Sequence, residues 1–266
     1  MDNRILLALG LTLLAGLSTG IGSTIAFFGK RSHPGFLSAT LGFSAGVMIY
    51  IAFVEMLPGG RELLIGDLGE SASGWWSMIA FFVGILLIFA IDLLVPSYEN
   101  PHDAVLLEDV ELPAGDGKHL ERLGLFTALA VGVHNFPEGI STFFAAVNDP
   151  AVGVSIAIAV ALHNIPEGIS ISVPVLYATG SKRKAFIFSF LSGISEPIGA
   201  LLGWALLAPF LSDSLQGLVY SGVAGVMVFI SLDQMLPNAK KYGQGHESLY
   251  GLIAGMAVMA ITLQLL

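Results

Sequence analysis

The chain has 266 residues, 55% hydrophobic and only 12% charged, with a mean hydropathy of +0.80 and a formal net charge of −9. A soluble domain of this length carries about 25% charged residues, so the composition excludes an ordinary soluble enzyme, a coiled coil and a disordered chain, and leaves a polytopic membrane protein. The lack of cysteine excludes disulfide frameworks, cysteine zinc sites and thiol catalysis, and the acidic balance is no footprint of nucleic-acid binding.

A bilayer core takes about 20 apolar helical residues. Eight runs meet that length, at about 4–28, 36–58, 74–95, 123–147, 151–178, 184–209, 215–237 and 247–266. Short alternating segments of a membrane β-barrel are not seen. The expected fold is all-α, one transmembrane domain over 1–266 with eight spans. The first run begins with Asp2 and Arg4 and ends at Lys30-Arg31. Its length and weak basic start read as a true first span, not a cleaved signal. Between the third and fourth runs lies an acidic segment, about 96–122, with His102 and His119 among its carboxylates. It reads either as a solvated linker or as a weak cation-collecting segment.

Loop charges set the orientation. With the N-terminus outside, the inner loops hold nine basic residues and the outer segments only Arg4 and Arg61, which accounts for all eleven. Both termini are therefore expected outside the cytoplasm, in a cell inner or plasma membrane.

Two stretches repeat. Residues 46–58 (GVMIYIAFVEMLP) and 225–237 (GVMVFISLDQMLP) share seven of thirteen positions without gaps. One ends the second span and the other the seventh, which run in opposite directions. An inverted-topology repeat follows, the usual build of secondary transporters. It puts Glu55 near the outer mouth of a pathway and Asp233 near the inner one, unless both simply face water at helix ends. Met48 offers a thioether to a passing metal, although core filling is the commoner use of methionine.

The second repeat carries the chemistry. His134-Asn135-Phe136-Pro137-Glu138-Gly139-Ile140-Ser141 recurs 29 residues later as His163-Asn164-Ile165-Pro166-Glu167-Gly168-Ile169-Ser170, with seven of eight positions identical. Both copies fall mid-span, where each charge costs about 2.5–3.5 kcal/mol on insertion scales. His and Glu at i and i+4 share one helix face. Pro at i+3 frees a carbonyl one turn back, that of Val133 or Leu162, and a kinked, broken helix is expected there. The short connection at Asn148-Asp149-Pro150 makes the two spans antiparallel neighbours. The sixth span adds Glu196 beside Pro197. Imidazole nitrogen with carboxylate oxygen suits zinc and other first-row divalent ions. Three carboxylates around one or two divalent ions are cheaper to bury than three bare charges. The alternatives are a metal-free proton relay and interhelical hydrogen-bond glue.

In these motifs (HNFPEG at 134–139, HNIPEG at 163–168, EMLP at 55–58 and DQMLP at 233–237) the chain resembles the ZIP family of divalent-metal transporters along essentially its whole length. The resemblance implies eight helices in a 3+2+3 arrangement, spans 1–3 and 6–8 being related by inversion. It implies inward transport of zinc and related ions (iron, manganese, cobalt or cadmium) through a two-metal site. Carried onto this chain, one ion takes His134, Glu138, His163, Glu167 and Glu196. The second takes Asn135, Asn164 and the bridging Glu138 and Glu167. Some relatives form homodimers, and the residues decide neither for nor against that here. The bound divalent ion is cargo, and no enzyme cofactor is expected.

The rival function is an intramembrane zinc hydrolase using the same His and Glu to activate water. No HExxH is present, and every strong site residue is usable as a ligand, which leaves no spare base. A proton-coupled carrier of another solute is the third reading.

Overall fold

A long apolar run in lipid must satisfy its backbone hydrogen bonds within itself, and the helix does so locally. The computed structural model describes residues 3–28, 34–94 and 117–265, and no strand occurs among the described residues. The helices are α1 (Asn3–Phe28), α2 (Pro34–Ile51), α3 (Leu57–Leu94), α4 (Gly117–Asn148), α5 (Pro150–Thr179), α6 (Lys182–Leu207), α7 (Asp213–Ile230), α8 (Leu236–Tyr242) and α9 (Glu247–Leu265). A π-helical turn, Ala52–Met56, joins α2 to α3, and a second, Ser231–Met235, joins α7 to α8. Six stretches among the described residues are long and apolar enough to cross a bilayer. This is the fold of a multi-pass membrane protein.

Several boundaries differ from the expected ones. The stretch Pro34–Leu93 covers 60 residues, about 90 Å at 1.5 Å per residue, and is interrupted at Gly69, between the expected second and third spans. A hydrocarbon core is only about 30 Å thick, so the run cannot cross straight. Its non-helical point is Gly69, at φ 75 and ψ 167, a region essentially closed to residues with a Cβ. At the other end of the acidic segment, α4 starts at Gly117, six residues before the expected start at about 123. Residues 95–116, which carry most of that segment, lie outside the described residues.

The expected break at the motif prolines does not occur. Helices α4, α5 and α6 run on through Pro137, Pro166 and Pro197. A proline removes one donor, and packing on neighbouring helices absorbs that loss. The departures from α geometry lie elsewhere, at Gly69 and in the two π turns. In the π turns Leu57 N–H donates to the Ala52 carbonyl and Leu236 N–H to the Ser231 carbonyl, each spanning five residues. Pro58 and Pro237 follow directly. A proline ring clashes with the carbonyl four residues back, and the wider π turn relieves that clash. The two turns fall at matching positions of the 46–58 and 225–237 repeat.

Helix ends are conventionally capped. Asp149 accepts from Ala151 N–H at 2.8 Å at the start of α5, Ser181 accepts from Lys184 N–H at 3.3 Å, and Gly180 ends α5 at φ 62.

The helices form two groups. In one, α1, α4, α5 and α6 pack on one another. In the other, α2 lies on α9, α3 lies on α7, and the π turns join the two pairs. The groups meet where α2 touches α5 and α7 touches α4. The first group is drawn together by backbone contact at glycine. A Cβ placed on Gly139 would lie 2.0 Å from the Glu196 carbonyl oxygen, and one on Gly168 would lie 2.0 Å from that of Thr19. Likewise Gly22 faces the Ile165 carbonyl and Gly199 that of Phe136. The glycine of each HNxPEG motif is thus a helix-packing residue.

Candidate metal centre

Gly139 holds α4 against α6, and Gly168 holds α5 against α1. Asn135 and Glu138 on α4, His163, Asn164 and Glu167 on α5, and Glu196 on α6 are all fully buried. Six of the seven expected residues are thus buried. The side chain of His134 lies outside the described residues.

The contacts within the cluster are specific. His163 Nε2 and Glu138 Oε2 are 3.1 Å apart, linking α5 to α4. The Asn164 amide donates to the Ala15 carbonyl at 3.0 Å and to Glu196 Oε1. Those two bonds use both protons of Nδ2. Asn164 Oδ1 is left buried with no hydrogen-bond partner among the described residues. Glu138 Oε1, Glu196 Oε2 and both amide atoms of Asn135 are in the same condition. A buried polar group without a partner costs about 1–3 kcal/mol, so this density of free acceptors is unusual for a membrane interior. Glu138, Glu167 and Glu196 also lie within electrostatic reach of one another. One imidazole and several acceptor oxygens match the donor set of a first-row divalent cation. Among the described residues, no three His, Asp or Glu side chains already converge as a ready ligand group. Glu138 is instead held by His163, and Glu196 by Asn164.

Two contributors were not singled out from the residues. The Ala15 carbonyl of α1 orients Asn164. Ser44 of α2 donates to the His163 carbonyl at 3.3 Å. The only hint was the small, hydroxyl-rich stretch of α1 and α2, which admits close backbone approach.

The pathway candidates belong to the second helix group, Met48 one turn along α2 from Ser44. Met48 is fully buried on α2, as is its repeat counterpart Met227 on α7. Glu55 is half-buried and Asp233 exposed, and each sits within a π turn.

Comparison with known proteins identifies the family. The family model described as ZIP zinc transporter matches residues 98–263, and the chain belongs to that family. It is 56% identical to "Zinc transporter ZupT" of Lysinibacillus sphaericus over 268 residues, covering 100% of both chains. It is 54% identical to the protein of that name from Nitratidesulfovibrio vulgaris, over 99% of this chain and 98% of the relative. The namesake from Clostridium perfringens is 52% identical, over 99% and 97% respectively.

Proposed function

We propose that the chain carries zinc, and related divalent ions such as iron, manganese, cobalt and cadmium, across the membrane into the cytoplasm. The observation that carries this reading is the buried cluster on α4, α5 and α6, with three carboxylates, an imidazole and amide oxygens that lack partners. The relatives' shared name, zinc transporter, supports the choice of cargo.

The ligand assignment is a two-ion site. His134, Glu138, His163, Glu167 and Glu196 take one ion. Asn135 and Asn164 take the second, with Glu138 and Glu167 bridging. Two divalent ions turn the formal −3 of the carboxylates into +1, and one ion gives −1. Binding would exchange the His163–Glu138 contact for metal bonds and engage the free Asn164 Oδ1.

The architecture behind this function is eight spans in a 3+2+3 order, with both termini outside the cytoplasm. Helix pairing supports it. The α3–α7 and α2–α9 pairs exchange under inversion of spans 1–3 and 6–8, as do α1–α5 and α4–α6. The paired π turns and the Gly22–Ile165 and Gly199–Phe136 contacts follow the same relation. The test is zinc flux into sealed vesicles holding only the purified protein. Zinc accumulation is expected. Tight binding without flux would favour a metalloenzyme, and proton flux without zinc movement would favour a relay.

A further inference from the structure

An apolar groove of about 980 Å³ runs between the α3–α7 pair and the α4–α6 pair. Ile79, Val83 and Leu87 of α3 line it, with Val219 and Val223 of α7 and Pro137 of α4. It therefore lies on the side of α4 that carries Pro137, away from Glu138. The same α3 residues are exposed on the outer surface, so the groove is continuous with the lipid-facing side of the protein.

Its dimensions limit what fills it. The lining on α3 extends from Trp76 to Ile91, about 22 Å along the helix axis, more than half of a hydrocarbon core about 30 Å thick. Water needs two to four polar partners to stay in a cavity. Among the described residues, this lining offers only the Ser192 hydroxyl and the Trp76 indole as polar side-chain groups. Ser192 is buried and its hydroxyl has no partner among the described residues. The related interface in the other repeat is closed by protein, since α2 and α9 both touch α5 and Ser44 bonds the His163 carbonyl. A gap is thus no general consequence of this packing.

We infer that the groove holds an acyl chain of a bilayer lipid, wedged between the α3–α7 and α4–α6 pairs. A flexible chain enters laterally from the bilayer, matches the groove in length and apolarity, and needs no polar partner.

Brominated lipid tests this, because bromine on an acyl chain quenches tryptophan fluorescence only at close range. Trp75, Trp76 and Trp204 are the chain's three tryptophans. With all three changed to Phe, Phe136→Trp places a single reporter on the groove lining. The full-length protein is reconstituted in vesicles of phosphatidylcholine carrying dibrominated chains and compared with unbrominated vesicles. Loss of fluorescence is expected in the brominated vesicles. Gly132→Leu with Gly222→Leu should fill the groove and restore the signal. An added Cβ meets its nearest atom at 3.9 Å on Gly132 and 3.6 Å on Gly222, so both backbones accept a side chain. Val223→Phe is a second filling variant, for use if the first does not fold. An unquenched reporter, as a second copy covering the groove would produce, overturns the inference. So does quenching that a folded filling variant leaves unchanged.

Discussion

Adding one methyl group at Gly139 is the smallest change that should prise α4 from α6. The new Cβ would lie 2.0 Å from the Glu196 carbonyl oxygen and 2.6 Å from Glu196 Cα. Ordinary contact begins at 3.4 Å, so the helices must separate by about 1.4 Å, an overpacking that typically costs about 1–3 kcal/mol. The obstacle is backbone on both sides, and no side chain can swing away. Metal–ligand distances tolerate only about 0.2 Å, so a shift of that size pulls Glu196 out of reach of an ion held by Glu138. Gly139→Ala should therefore lower the melting temperature in detergent and weaken zinc binding at least tenfold, about 1.4 kcal/mol. Gly10→Ala is the control. Nothing lies within 4 Å of a Cβ on Gly10, and alanine is favoured over glycine in a helix by about 0.8–1.0 kcal/mol. It should leave binding unchanged and stability equal or higher. Differential scanning fluorimetry with zinc titration measures both quantities. Wild-type melting and wild-type zinc affinity in Gly139→Ala would refute the claim that this glycine sets the α4–α6 spacing of the site.

Glu138→Ala and His134→Ala should each abolish most zinc uptake into vesicles while the protein still reaches the membrane, and normal uptake by well-expressed variants would remove them from the site. Asn164→Ala strips Glu196 of its amide donor and should leave one bound ion in place of two, as counted by elemental analysis of the purified protein. Zinc affinity should fall as pH drops from 8 to 5.5, because protons compete for the same imidazole and carboxylate atoms. A dissociation constant flat with pH in detergent would contradict such a ligand set. Gly69→Ala forces a Cβ into a glycine-only conformation and should destabilise the protein by about 1–3 kcal/mol. The zinc affinity of the folded fraction should stay unchanged, which chemical denaturation and zinc titration together can check.

Much of this protein was legible because lipid imposes a local rule. Each span must be apolar and hydrogen-bonded within itself, so hydropathy alone located the helices. The same rule made His163, Glu138, Glu167 and Glu196 conspicuous, since charge at that depth is expensive. The duplicated HNxPEG motif then pointed to a candidate site, six of whose seven residues are buried, with contacts joining His163 to Glu138 and Asn164 to Glu196. Proline was read less well. The motif prolines suggested broken helices, yet α4 and α5 continue through them. The real irregularities follow Ala52 and Ser231, where a π turn precedes the proline of each M-L-P ending. Both outcomes depend on what surrounds the freed carbonyl, which residue order along one helix does not contain.

What the sequence by itself determined is a helical, multi-pass membrane chain and the donor chemistry its polar motifs offer, because these depend on one segment and its solvent. Only the tertiary structure decided which atoms of those motifs stay available. Asn164 is fixed by the Ala15 carbonyl, 149 residues away in the chain. His163 is paired with Glu138 and bonded through its carbonyl by Ser44. Gly139 and Gly168 are revealed as contact points on α6 and α1 only once those helices are in place. Hydrogen bonds and van der Waals contact act over a few ångströms in space, and chain order does not say which distant segments will come that close.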